Sequence, residues 1–138
     1  MKIRFVFSVL FLVILSLLLL TACRKLEKID ADLVEKIVLW EHSPPGIPLT
    51  AEESAKFIEL YNASEYDGKP TGEGGTPDFG IMVYFTDGTC LHANDFYGRL
   101  EAWITNPEGH TQDDFYIRSQ ELYAFVSELA AKATETGS

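Results

Sequence analysis

The sequence predicts an α+β domain: an antiparallel sheet of four to five strands with two helices packed on one face. Three observations lead there. Thr50 stands three residues before Glu53 at the head of a segment in which Phe57, Ile58 and Tyr61 share one helical face. Asp87-Gly88 separates two apolar, alternating runs, the strongest short-range signal for a hairpin. After the strands, Leu122, Phe125, Val126 and Leu129 recur at helical spacing behind Ser119, a capping residue.

In chain order, Met1 to Arg4 form a short basic start, and Phe5 to Leu20 is an apolar run broken only by Ser8 and Ser16. A basic end followed by such a run is the pattern of an export signal. The alternative is an uncleaved membrane helix, since Phe5 to Ala22 lies near the lower length for a bilayer span. The run closes on Leu20-Thr21-Ala22-Cys23, an aliphatic residue, two small residues and a cysteine, and here the chain resembles bacterial lipoproteins. That resemblance implies diacylglyceryl transfer to the Cys23 thiol and cleavage between Ala22 and Cys23. The protein would then sit on the outer side of the cytoplasmic membrane, or at the outer membrane in a Gram-negative host, held by its lipid. Residues 1–22 are therefore the expected leader, 23–31 the lipidated cysteine and a short tether, 32–132 the domain and 133–138 a disordered tail. Arg24, Lys25 and Lys28 stand next to the anchor, where cations favour an anionic lipid surface. An extended tether from Arg24 to Ala31 would reach at most about 28 Å.

Leu33 to His42 is rich in β-branched and aromatic residues and reads as a first strand, ended by Ser43-Pro44-Pro45-Gly46. The capped helix runs from about Ala51 to Asn62. Glu65 to Asp78 carries glycines and two prolines without a hydrophobic period and reads as a long flexible loop. Its Gly72-Glu73-Gly74-Gly75 is no phosphate cradle, because no helix start follows and Lys69 precedes the glycines. Ile81 to Thr86 and Thr89 to Ala93 form the hairpin; with a two-residue turn, Val83 faces His92, Tyr84 faces Leu91 and Phe85 faces Cys90. Arg99 to Thr105 alternates as a further strand, Asn106 to Gly109 turns, and Phe115 to Arg118 adds an edge strand before the last helix. The hairpin followed by the helix that begins Tyr116-Ile117-Arg118-Ser119-Gln120-Glu121-Leu122 is similar to small Gram-positive lipoproteins of uncharacterised function, a likeness that brings no catalytic residues with it.

Removing Lys2 and Arg4 with the leader takes the net charge from −10 to about −12. That sign disfavours nucleic acid and suits cations, cationic peptides or basic protein surfaces, or simply solubility. With Cys23 acylated, Cys90 is the single remaining thiol, so no internal disulfide forms; within a strand it reads as a small buried apolar residue. No cofactor motif is present and no G-x-S-x-G exists, and the many acids make chance carboxylate pairs easy. No catalytic residues are assigned.

If Ile81, Val83, Phe85, Leu100, Ala102 and Ile104 face the helices, then Met82, Tyr84, Leu91, Arg99, Glu101 and Trp103 form the other face. An exposed mixture of Trp, Tyr, Met and Arg has the composition of a protein-binding patch. The competing readings are that loop 65–78 covers that face or that the alternation is inverted. The leading expectation is a non-enzymatic, membrane-tethered module for a protein or cationic peptide. Lantibiotic-immunity lipoproteins, small acidic domains that sequester cationic peptides, offer an analogy of general properties. The alternative is a metal-binding lipoprotein using His92, Asp95, His110 and Asp113.

Overall fold

The computed structural model describes residues 2–21, 24–41, 46–72 and 74–136. Cys23, the expected acylation site, and the expected turn at 43–45 lie outside them. The expected leader forms one helix, α1 (Lys2–Thr21), as a Leu-rich apolar run interrupted only by Ser8 and Ser16 and free of Gly and Pro favours. Its apolar side chains from Val6 to Leu15 that are described stand exposed and add nothing to the core.

A 3-10 turn at Ala31–Leu33 leads into β1 (Val34–Glu41) and β2 (Ile47–Pro48), then α2 (Ala51–Asn62), β3 (Glu65–Tyr66), β4 (Phe79–Phe85), β5 (Cys90–Phe96), β6 (Arg99–Thr105), β7 (Thr111–Arg118) and α3 (Gln120–Thr136). The strands form one open antiparallel sheet in the order β2-β1-β4-β5-β6-β7-β3. The α+β class is as expected, with seven strands in place of four to five. Two of the additions, β2 and β3, are two-residue edge pairings that no hydrophobic period can announce. The second, Glu65–Tyr66, opens what reads as a loop; Asp67 and Gly68 extend its pairing to Tyr116. Strand β7 starts at Thr111, not Phe115, because backbone pairing to β6 carries the polar stretch Thr-Gln-Asp-Asp into the sheet against its propensity.

Both termini of α2 and the start of α3 follow the sequence signals. The Thr50 hydroxyl accepts from the Glu53 amide while the Glu53 carboxylate accepts from the Thr50 amide. The Ser119 hydroxyl accepts from the Leu122 amide. Phe57, Leu60 and Tyr61 of α2 and Leu122, Val126 and Leu129 of α3 bury against Ile37, Leu39, Ile81, Val83, Leu100 and Ala102 on one sheet face, the inner face, in a single core. The expected tail from residue 133 is instead helix to Thr136. Ala133 still packs on the core, and Lys132 pairs with Glu128 one turn back.

The hairpin between β4 and β5 has three loop residues instead of two. The Phe85 amide donates to the Thr89 carbonyl, and the Gly88 amide to the Phe85 carbonyl. Gly88 has φ +87°, the left-handed conformation that a three-residue hairpin needs at its last loop position. The Asp87 carboxylate accepts from the Thr89 amide and hydroxyl, bonds that hold it below the ordinary carboxylate range. The pairs are therefore Met82–His92, Val83–Leu91 and Tyr84–Cys90, one step from the expected ones. A one-residue step exchanges faces. Leu91 enters the core, 2% exposed, and His92 takes its place on the outer face.

The expected tether is part of the domain. Ile29 is 6% exposed within the core and Leu26 packs against it. The Asn62 amide accepts from the Ile29 amide at 2.7 Å and donates to the Ile29 carbonyl at 2.9 Å, as a neighbouring strand would. Arg24 pairs with Asp113 and lies 4.8 Å from the centroid of the Tyr66 ring. The folded unit thus begins at Arg24. Replacing Asn62 by Ala strips both Ile29 backbone groups of their partner and is expected to cost about 1–3 kcal/mol. Urea denaturation of residues 24–138 checks this; an unchanged midpoint would mean the 24–30 segment is not docked in solution.

Candidate functional site

The helices pack on the inner face, so the chemistry of the outer face rests on the side chains that alternate away from them. Lys36, Val38 and Trp40 of β1, Met82 and Tyr84 of β4, His92 and Asn94 of β5 and Trp103 of β6 point outward at neighbouring positions of the ladder. Together with Pro48 and Gly46 at the β2 edge they line a shallow groove of about 590 Å³. Val38, 8% exposed, forms its floor. Gly46 is required at the rim: a Cβ there would lie 2.2 Å from Val38 Cγ1 and 2.5 Å from the Leu39 carbonyl oxygen.

The groove is built from rings. His92 stacks on Trp103 with centroids 4.9 Å apart and planes 7° from parallel. Lys36 Nζ lies 4.8 Å from the centroid of Tyr84, a cation on a ring face. The Tyr84 hydroxyl reaches the Met82 sulfur at 3.8 Å, and His92 Nε2 is 3.3 Å from Thr105 Oγ1. Burial lowers the His92 pKa below the usual imidazole range, which keeps the stack neutral. Cys90 lies on this face beneath the surface, and burial pushes its thiol up to about 11. It is an inert thiol at neutral pH.

Towards β7 the outer face closes. The Arg99 guanidinium sits 3.5 Å from the centroid of Tyr116, which is 3% exposed, and Asp67 from the chain after β3 pairs with both Arg99 and Arg118. Of the six residues expected to bind a partner, Met82, Tyr84 and Trp103 line the groove. Arg99 and Glu101 stand beside it on the half held by Asp67, and Leu91 is in the core on the opposite face. Glu101 shares the outer face with Asp114; burial and the Asp114 charge raise its pKa, against the pull of Arg99. The sequence reading missed Lys36, Val38 and Trp40 because it left β1 without a neighbour. Their signal was present: Ile37-Val38-Leu39-Trp40 is apolar on both faces, which an edge strand is not.

The four residues of the metal alternative are not brought together. His92 is on the outer face. Asp95 is turned inward and accepts from the Tyr123 hydroxyl at 2.9 Å. The exposed His110 belongs to the turn before β7, its amide donating to Asn106. Asp113 holds Arg24 and Lys69; burial would raise its carboxyl, but those two bonds outweigh burial and hold it below its ordinary range. Among the described residues no three His, Cys, Asp or Glu side chains converge as metal ligands.

A second cavity, of about 580 Å³, lies at the end of the inner face between the Arg24–Asp30 segment and the sheet. Leu91, Ile104 and Phe115 line its floor, and Tyr61 and Tyr66 its side. No protein-family model matches the chain, and no curated protein or solved structure is significantly similar to it.

The His92 shift has a signed consequence. A histidine whose folded pKa is depressed gives up stability as the pH falls below its unfolded value of about 6.5 towards the folded one, because the unfolded chain binds the proton first. Wild type is therefore expected to lose more stability than His92→Gln between pH 7 and pH 5. Parallel denaturation curves measure the difference, and a gap that does not change with pH would show that His92 is not desolvated.

Proposed function

We propose that the protein is a membrane-anchored extracytoplasmic lipoprotein, acylated on Cys23, that acts as a non-enzymatic binding module. It holds a segment carrying apolar and cationic side chains, from a peptide or a protein, in the outer-face groove. The observation that carries this reading is the groove itself: an open, ring-lined concavity on the face that the helices leave bare. Aromatic side chains supply large rigid contact area at low entropic cost, and Trp and Tyr are the residue types enriched where binding energy concentrates. The acidic body draws cationic partners towards it, and the Glu101 carboxyl, half-buried on the outer face, sits next to Trp103 in the ladder.

The anchor rests on the run Leu20-Thr21-Ala22-Cys23 after a basic start and an apolar helix. A Cys23→Ser chain should take up no labelled fatty acid and should keep its leader, running larger on a gel than the processed wild type.

Both tryptophans of the chain, Trp40 and Trp103, line the groove, so intrinsic fluorescence reports on it directly. Titration of residues 24–138 with a short amphipathic lysine-rich peptide should shift the emission saturably, less so at high salt. Trp103→Ala should weaken binding by about 2 kcal/mol, roughly thirtyfold, measured by calorimetry. Tyr97→Ala, at the exposed tip of the β5–β6 turn, should leave it unchanged. Equal affinity in wild type and Trp103→Ala would rule the groove out as the binding site.

A further inference from the structure

The cavity on the inner face lies where the chain meets its expected anchor. Residues Arg24 to Asp30 cross the end of that face beside the β4–β5 turn, and the space of about 580 Å³ beneath them falls within the roughly 300–1,000 Å³ of small-molecule sites. Its sheet side is apolar, with Phe85 from β4 and Leu91, Ile104 and Phe115 facing Leu26 of the crossing segment, while charged side chains of that segment together with Asp87 and Asp113 make up much of the remaining lining. Among the described residues no buried side-chain nitrogen or oxygen lacks a partner, so the buried part of the lining leaves no polar group for a ligand to satisfy. Methylenes placed there would leave water and gain dispersion contacts with the walls.

Covalent geometry names the occupant. Arg24 is itself a lining residue, fixed by Asp113 and by the Tyr66 ring, and the acylation site is the residue before it. The segment is docked through Ile29 and Asn62, and its first residue, Arg24, next in sequence to Cys23, borders the cavity. We propose that this cavity seats the first stretch of an acyl chain carried by Cys23. The anchor then folds back against the domain it holds, and the Arg24–Asp30 segment lies against the bilayer with Lys25 and Lys28 among the headgroups. This inference rests on the lipoprotein reading.

The test uses the full chain, processed in a bacterial host and purified from its membranes, with a photoreactive phenylalanine analogue at position 104 or 85 and, as a control, at position 82 in the outer groove. Intact-mass measurement first reports whether Cys23 carries its acyl groups. After irradiation, digestion should yield a peptide of residue 104 or 85 joined to the acylated N-terminal peptide of the same chain, and none from position 82. An unacylated Cys23 overturns the anchor reading and this inference with it. An acylated Cys23 whose chains never reach positions 104 and 85, or reach 82 equally, overturns the inference and leaves the anchor standing. Crosslinks from 104 to free membrane lipid alone also overturn it, by making the cavity a site for bilayer lipid.

Discussion

Everything on either face of this sheet depends on the register of one hairpin. Side chains alternate with a period of two, so the single extra loop residue between β4 and β5 decides whether Leu91 or His92 faces the helices. The decision is local. Gly88 adopts a left-handed conformation that side chains disfavour, and Asp87 ties the turn to Thr89. The energetic consequence is large by comparison: in the other register a histidine would meet the core and a leucine would meet water. With Leu91 inside, the inner face of β5 is Leu91 and Ala93, and the outer face gains the imidazole that stacks on Trp103.

The same core reaches further towards the N-terminus than a domain boundary drawn from composition. Arg24-Lys25-Leu26-Glu27-Lys28-Ile29 looks like a charged linker, because two apolar residues among four charges carry no strand or helix period. What orders it is long-range: the Asn62 carboxamide, at the last turn of α2, satisfies both backbone groups of Ile29 as a strand partner would. Such a contact is invisible to any rule based on neighbours in sequence. Its effect is to fix against the core a segment that composition alone reads as flexible.

What was legible in the sequence was whatever is encoded within about ten residues. The capping box at Thr50 and Glu53, the Ser119 cap, the apolar faces of α2 and α3 and the alternation of β6 all stand where local chemistry puts them. The pairing of β1 with β4 was not legible, since α2 and two edge strands intervene, and with it went the outward residues Lys36, Val38 and Trp40. The candidate site was accordingly half visible: Met82, Tyr84 and Trp103 follow from alternation, while the wall opposite them needs the fold. The metal quartet failed for a related reason. His92 and Asp95 are three apart in a strand, which puts them on opposite faces of the sheet, whereas in a helix the same spacing would bring them together.

The two cavities sit on opposite faces, and that separation bears on how the proposed anchored module would work. The inner-face cavity is walled by the segment from Arg24 to Asp30, while the groove lies on the face turned away from the helices. A lipid chain on one side and a peptide on the other therefore do not compete for space. They do share the sheet: Leu91, lining the first, is next in the chain to His92, lining the second, and Ile104 is next to Trp103. An acyl chain packed on Leu91 and Ile104 would therefore bear on the two strands that carry the His92–Trp103 stack.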